Sequence, residues 1–233
     1  MLETHEPHWQ LEGPSQQQIG SADPWGRALQ LAVKRGIDLV AAIVLLLVLL
    51  PLLLITAALV KLSSPGPILF RQRRVGKGGR EFWMYKFRTM LPNSDASIHQ
   101  TYYRALIRGE ANPIGGKFKL SHDPRVTSVG RFLRRTSLDE LPQLLNVVKG
   151  DMSLVGPRPP IPYEVELYGS RERSRLSVTP GITGLWQVSG RNTLNFQQMI
   201  DLDLNYIEHW SVWLDLVILF RTCIVVLTGR GAC

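Results

Sequence analysis

LVAAIVLLLVLLPLLLITAALV, residues 39–60, runs for 22 residues without a charged side chain and is interrupted once, at Pro51. As one α-helix it would extend about 33 Å, against a hydrocarbon core of about 30 Å. A helix on the surface of a globular body keeps a polar face, and this stretch has none. It reads as a membrane segment, and the way it is bent decides the arrangement of everything that follows. Pro51 removes a backbone N–H near the middle and its ring clashes with the preceding turn, so a kink or break is expected there. Positive charge stands on both flanks, Lys34 and Arg35 before it and Lys61, Arg71, Arg73 and Arg74 after it. Lys and Arg beside membrane segments favour the cytoplasmic side. If both flanks obey that preference, the segment enters one leaflet, turns at Pro51 and returns. A kinked helix that crosses the bilayer satisfies the same composition, because bilayer helices tolerate proline.

Residues 1–30 are polar and acidic, with Gly, Gln and Pro scattered through them, and lack the basic start and apolar run of a signal peptide. They read as a flexible tail, residues 31–64 as the membrane element and residues 65–233 as a folded body. SSPGP at 63–67 ends the apolar run. ILFRQRRV (68–75) and REFWMYKF (80–87) are rich in β-branched and aromatic residues and flank GKGG (76–79), the pattern of a β-hairpin. GKGG fits neither the dinucleotide nor the P-loop pattern and no helical pattern follows, so turn chemistry accounts for it. Residues 91–122 form a polar stretch with helical character around His99 to Arg108.

DPRVTSVGRFLRR (123–135) places Val126, Val129, Phe132 and Leu133 at helical steps, with Arg131, Arg134 and Arg135 on the other sides. TPGITGLWQVSGRN (179–192) reads as a loop with room for a short strand, and Phe196 to His209 as a helix. WSVWLDLVILFRTCIVVL (210–227) is apolar but interrupted by Asp215 and Arg221, which makes it a poor span. It suits either a helix packed on the body or one lying at headgroup level, with Trp210 and Trp213 at the interface.

The chain has 233 residues, 45% of them hydrophobic, enough for one sizeable domain with an appendage. Lys and Arg number 27 against 19 acids, a formal charge of +8, so the expected partners are anionic: nucleic acid, phospholipid headgroups or phosphorylated substrates. Cys223 and Cys233 have no metal-like spacing and argue against a disulfide framework. The five histidines are dispersed from His5 to His209, and a zinc site is not expected.

RRTSLDELPQLLNVVKGDMSLVGPRP (134–159) sets Asp139 and Glu140 side by side between a basic cluster and an apolar run. Ser137 and Glu140 match the capping box S-x-x-E, and Asp139 would then oppose the positive end of the helix dipole. The neighbourhood supports a second reading. Arg134, Arg135, Lys149 and Arg158 lie within the same 26 residues, with Arg158 held between Pro157 and Pro159. Such a set suits a pyrophosphate. A carboxylate among arginines stays ionised and can ligate magnesium, as phosphoryl transfer through an aspartyl intermediate requires.

Taken in order, KRGIDLV, YKFRTM, DPRVTSVGRFLRRTSLDELPQLLNVVKGDMSLVGPRP, PGITGLWQVSGRN and the closing apolar helix resemble the bacterial sugar transferases, also described as monotopic phosphoglycosyl transferases. The resemblance runs from Lys34 to the C terminus. It implies an α/β (α+β) fold: a small, mainly helical catalytic body with a β-hairpin, an N-terminal re-entrant membrane helix and interfacial helices. It places the chain on the cytoplasmic face of the bacterial inner membrane, with inner-membrane lipid, a UDP-sugar and undecaprenyl phosphate as partners. Asp139 is implied as the nucleophile that takes up the phosphosugar and expels UMP, with Mg2+ bound at Asp139 and Glu140 assisting. Arg134 and Arg158 are implied as phosphate ligands, Arg88 in YKFRTM as a ligand of the substrate phosphates and Arg191 as a nucleotide ligand. Some members carry Ser before the helix-breaking proline, where this chain has Leu50, so here the kink rests on Pro51 and its neighbours.

Two other classes compete. A membrane-tethered nucleic-acid binder would use the +8 charge, but these basic residues alternate with carboxylates and prolines. A non-catalytic structural membrane protein would use the acidic pair only as a cap. The sugar is expected to be a hexose, glucose or galactose, and the apolar final helix would serve a homodimer as well as a bilayer.

Overall fold

The computed structural model describes residues 24–91, 125–190 and 194–228. The apolar run forms two helices, α1 (Pro24–Val48) and α2 (Leu50–Ser63), bent by 64° at Leu49. Pro51 lies in the first turn of α2, where a missing N–H costs least. Leu49 N donates to Leu45 O (2.9 Å) and Leu53 N to Leu49 O (2.8 Å), so helical hydrogen bonding continues on both sides of the bend. The kink expected at Pro51 is present without a serine at position 50. Among the described residues, no single helix is long and apolar enough to cross a membrane. Helix α1 starts at Pro24, inside the stretch that composition assigns to a tail.

Both arms of this V are fastened to the same body. On α1, Lys34 Nζ donates to Asp215 Oδ2 (2.5 Å) and Val155 O (3.1 Å), and Arg35 donates to Val147 O (2.6 Å) and Val148 O (3.0 Å). Asp38, one turn later, accepts from Ser153 Oγ (2.7 Å) and Leu154 N (3.1 Å). On α2, Thr56 and Val60 are buried, and Arg88 donates to Val60 O (3.2 Å), Ser64 O (2.6 Å) and Pro67 O. Between these anchors Leu47, Val48, Leu50 and Leu54 are exposed.

After α2 come β1 (Leu69–Val75) and β2 (Glu81–Phe87), an antiparallel hairpin with Leu69 opposite Phe87 and Val75 opposite Glu81. The GKGG turn works as its glycines suggest, with Gly78 and Gly79 at φ 67° and 81°. Asn146 takes the place of a third strand, accepting from Tyr85 N (3.1 Å) and donating to Trp83 O (2.7 Å).

Helix α3 (Ser128–Thr136) is capped by Thr127, whose Oγ1 accepts from Gly130 N (2.9 Å). It lies so close to the chain after β2 that a Cβ at Gly130 would fall 2.1 Å from Thr89 O. A 3-10 segment (Leu138–Gln143), α4 (Leu144–Lys149) and β3 (Ser153–Val155) follow. Then come α5 (Pro162–Glu166), α6 (Ser170–Arg173), β4 (Gly181–Thr183), α7 (Leu185–Ser189), α8 (Phe196–Glu208) and α9 (Val212–Thr228). The stretch 179–192 thus holds a strand and a short helix, and β4 pairs with β3 in parallel. Helical character around His99 to Arg108 is an expectation about residues outside the described ones.

Met84, Val147, Met152, Val155, Tyr206 and Ile218 form the centre of the core, and Val60, Phe87 and Leu133 join α2, β2 and α3 in a second cluster. The last helix packs on the body through one face and leaves the other exposed. Asp215 and Ile218 of α9 are buried and Thr222 meets Thr183 at 2.8 Å, whereas Trp213, Leu216, Phe220, Ile224 and Leu227 form an exposed apolar stripe at helical spacing. The mainly helical body with a hairpin is what the chain forms.

Asp38→Ala removes the acceptor of two buried donors on β3 and one carboxylate near Lys34. A loss of about 2–4 kcal/mol is expected, read as a lowered thermal midpoint of the detergent-solubilised protein. An unchanged midpoint would show that α1 is not fastened to the body this way.

Candidate active site

Ser137 ends α3 in the left-handed conformation (φ 57°), with its N–H on Arg134 O (3.4 Å). A residue that closes one helix in this way cannot also adopt the extended backbone of an N-cap for the next. The S-x-x-E capping box therefore does not form: the Ser137 side chain makes no cap bond, and Glu140 N donates to Ser137 O (3.2 Å). Tertiary partners take over the carboxylate instead. Glu140 Oε1 lies 3.0 Å from Lys86 Nζ at the end of β2 and 4.0 Å from Arg158 Nη1, which arrives on the turn after β3.

Asp139, next to it, is 9% exposed. Its charge and that of Glu140 both act on Lys86. Arg134, in the last turn of α3, donates from Nε to Thr89 Oγ1 (3.0 Å), which ties its stem to the chain just beyond β2. The structure thus brings Glu140, Lys86 and Arg158 together, with Asp139 beside Glu140 in the chain and Arg134 five residues before Asp139.

Arg88 is placed differently from expectation. It is buried, and its Nη atoms donate to Val60 O, Ser64 O, Ser64 Oγ and Pro67 O. These acceptors are Val60 O in the last turn of α2, both oxygens of its C-cap Ser64 and Pro67 O in the turn that follows, so the guanidinium caps the end of the helix. In the block YKFRTM it is Lys86 that reaches the acidic pair. A lysine directly after the apolar and aromatic run Phe82, Trp83, Met84 and Tyr85 signals a partnered interior charge. Arg191 lies outside the described residues.

Burial of the Lys86 ammonium lowers its pKa to about 8, with Arg158 and Arg74 acting in the same direction and Glu140 and Asp139 opposing them. A site that holds a cation this reluctantly gains when an anionic group enters. Two adjacent carboxylates match a magnesium ion that also uses phosphate oxygens, since such ions take one or two carboxylates and keep other oxygen ligands. Among the described residues no group of three Asp, Glu, His or Cys side chains is placed to hold a metal by itself.

Part of the positive charge is used inside the body. Lys34, Arg35, Arg74, Arg88 and Arg175 are turned inward to carbonyls and carboxylates. Of the arginines after the membrane segment, Arg71 and Arg73 are exposed and Arg74 is buried.

The sequence model of the family described as bacterial sugar transferase matches residues 29–229, from α1 through the acidic pair to the end of α9. The chain belongs to the bacterial sugar transferase family. Exopolysaccharide production protein ExoY of Sinorhizobium fredii is 44% identical over 204 residues, covering 85% of this chain and 87% of ExoY. Galactosyl transferase CpsE of Streptococcus agalactiae is 45% identical over 203 residues, covering 87% of this chain and 44% of CpsE. The undecaprenyl-phosphate galactose phosphotransferase of Salmonella typhimurium is 44% identical over 201 residues, 86% of this chain and 41% of that protein. The chain therefore spans most of ExoY and less than half of the other two family members.

The depressed pKa of Lys86 has a consequence for stability. Its value is about 8 in the folded chain and about 10.5 when exposed, so between these the unfolded chain binds more protons and stability from this group rises with pH. Wild type is expected to gain on Lys86→Met across pH 8 to 10, by at most about 1.4 kcal/mol per pH unit, in paired denaturant titrations. Parallel curves for the two proteins would show that Lys86 titrates normally.

Proposed function

We propose that this family member is a monotopic phosphoglycosyl transferase of the bacterial inner membrane. It moves a sugar phosphate from a UDP-sugar, with a hexose such as glucose or galactose, to undecaprenyl phosphate at the cytoplasmic face, the first membrane step of exopolysaccharide synthesis. The observation that carries this reading is the buried carboxylate of Asp139 beside a Glu140 engaged by Lys86 and Arg158. The printed names of relatives, an undecaprenyl-phosphate galactose phosphotransferase and a UDP-galactose-lipid carrier transferase among them, support the substrate class.

In the first step an Asp139 carboxylate oxygen attacks the phosphorus that bears the sugar. The new P–O bond forms as the bond to the bridging oxygen breaks, and UMP leaves with that electron pair. In the second, a phosphate oxygen of undecaprenyl phosphate attacks the same phosphorus and the bond to Asp139 breaks. The products are undecaprenyl diphosphate sugar and the original carboxylate. Lys86, Arg134 and Arg158 take up charge on the phosphoryl oxygens, and Glu140 keeps Lys86 and Arg158 aimed at them. Asp139, together with oxygens of the donor diphosphate, would hold magnesium, which would supply neutralising positive charge there.

The membrane placement rests on the V. Each apolar arm from the base to Leu49 spans about ten residues, about 15 Å, which reaches at most the midplane of a core of about 30 Å. Both bases are fastened to one body, so both flanks lie on one side of the bilayer. The exposed stripe of α9 suits the headgroup level.

Asp139→Asn keeps the side-chain volume and removes the nucleophile, so it is expected to stay in the membrane fraction while UMP release falls by at least about a thousandfold. Full turnover by that variant would remove the covalent route. For topology, Arg27→Cys and Leu62→Cys, each in a chain with Cys223 and Cys233 changed to Ser, are expected to resist an impermeant maleimide in spheroplasts and to react in inverted vesicles. Labelling of one in spheroplasts and the other only in inverted vesicles would mean a spanning helix.

A further inference from the structure

The segment Pro157–Pro160 carries Arg158 to the acidic pair. Three of its four residues are prolines, so it has almost no N–H groups with which to be anchored. It is held by its carbonyls, each taken by a donor from a different place. Pro157 O accepts from Gly181 N (2.9 Å), Arg158 O from Arg175 Nη2 (3.3 Å), Pro159 O from Arg74 Nη1 (2.8 Å) and Pro160 O from Val75 N (2.9 Å). Two of these donors are backbone groups of β4 and β1. The other two are guanidinium groups, both buried.

Arg175 is paired with a buried carboxylate, whereas Arg74 Nη2 donates to Gln72 Oε1 (2.7 Å) and its charge acts on the buried Glu164. Arg175 Nη2 lies 2.6 Å from Asp203 Oδ2, and its Nη1 donates to Tyr168 OH (3.0 Å). Arg74 is the strongest favourable charge acting on Glu164, whose Oε2 accepts from Ile161 N (3.1 Å). Burial raises the pKa of both carboxylates, so holding them beside two guanidinium groups is costly, and well-packed apolar side chains often serve stability as well or better. These four lie directly behind the segment that presents Arg158. A planar guanidinium can serve a carbonyl and a carboxylate at once, which an ammonium does less well. The Arg158 side chain itself is 37% exposed, so its aim depends on its backbone more than on packing around it.

We infer that Arg74 and Arg175 are positioning residues for Arg158: by holding the carbonyls of Pro159 and Arg158, they fix where its guanidinium meets Glu140. This rests on the proposed role of Arg158 at the phosphates.

The test is a double-mutant cycle on the full-length, membrane-bound protein, with UDP-glucose and UDP-galactose as donors, undecaprenyl phosphate as acceptor and UMP release as the readout. Arg175→Lys and Arg74→Lys each keep a positive charge near the buried carboxylate but lose the fork. Each is expected to lower kcat/KM for the donor about ten- to a hundredfold when Arg158 is present. In the Arg158→Ala background each should change it by less than about twofold, because the group they position is gone. Equal losses in both backgrounds would mean a general structural role and overturn the inference, as would no loss with Arg158 present. An Arg158→Ala enzyme with unchanged kcat/KM would instead defeat the reading of Arg158 itself. Should Arg175→Lys fail to accumulate in the membrane, Arg74→Lys, whose charge acts on a different carboxylate, carries the same cycle.

Discussion

A buried carboxylate on a long helix has to find donors, and the pair that Asp38 finds fixes where α1 sits on the body. Its oxygens take Ser153 Oγ and Leu154 N, which fastens α1 to β3. Lys34, 3.9 Å from Asp38 on the same face, closes the arrangement by reaching Asp215 of α9 and Val155 O. Tyr206 OH and Trp210 Nε1 also donate to Asp215, at 2.7 and 3.2 Å, so α8 and α9 are drawn to the same point. Arg158 follows Leu154 by four residues, about 13 Å of extended chain. The strand that receives α1 is therefore the strand that delivers an arginine to the acidic pair.

Cations serve two separate purposes in this protein. Lys34, Arg35, Arg74, Arg88 and Arg175 fasten elements by filling carbonyls and carboxylates inside. Lys86 and Arg158 instead converge on Glu140, with Arg134 held nearby through Thr89. The +8 formal charge is thus a poor guide to the surface, because much of the basic content is structural. The same division explains why Lys86 is under strain as a cation: burial disfavours its charge, neighbouring arginines add to that, and only the acidic pair opposes it. Phosphate oxygens would relieve the imbalance.

Local chemistry made some of this legible in the sequence, and tertiary choice hid the rest. The hairpin follows from β-branched and aromatic runs around Gly76–Gly79, and the bend follows from Pro51, both of which are decided within a few residues. The acidic pair stood out because cations crowd it in the chain. The capping box was misleading since Ser137 has to close α3, a demand that only the brief link between two helical segments reveals. Arg88 and Lys86 sit two residues apart in one block, and nothing local says which faces the carbonyls of α2 and which the carboxylates. The three-residue pairing of β3 with β4 is also invisible, as Gly181 and Gly156 matter through close backbone approach and not through any pattern.

That choice between Lys86 and Arg88 also bears on how a lipid-borne phosphate and a soluble nucleotide would meet at one carboxylate. The end of β2 holds both things at once. Arg88 caps the end of α2 while Lys86 touches Glu140, and Phe87 between them packs with Val60 of α2 and Leu133 of α3. Leu133 precedes Arg134, so the cluster that seats α2 also seats an arginine of the proposed site. A close-packed cluster of this kind transmits displacement and does not absorb it. In the proposed reaction the depth of α2 in the lipid is thereby tied to the position of the acidic pair. In that reaction the acceptor phosphate would meet the nucleophile at a height set by these three consecutive residues.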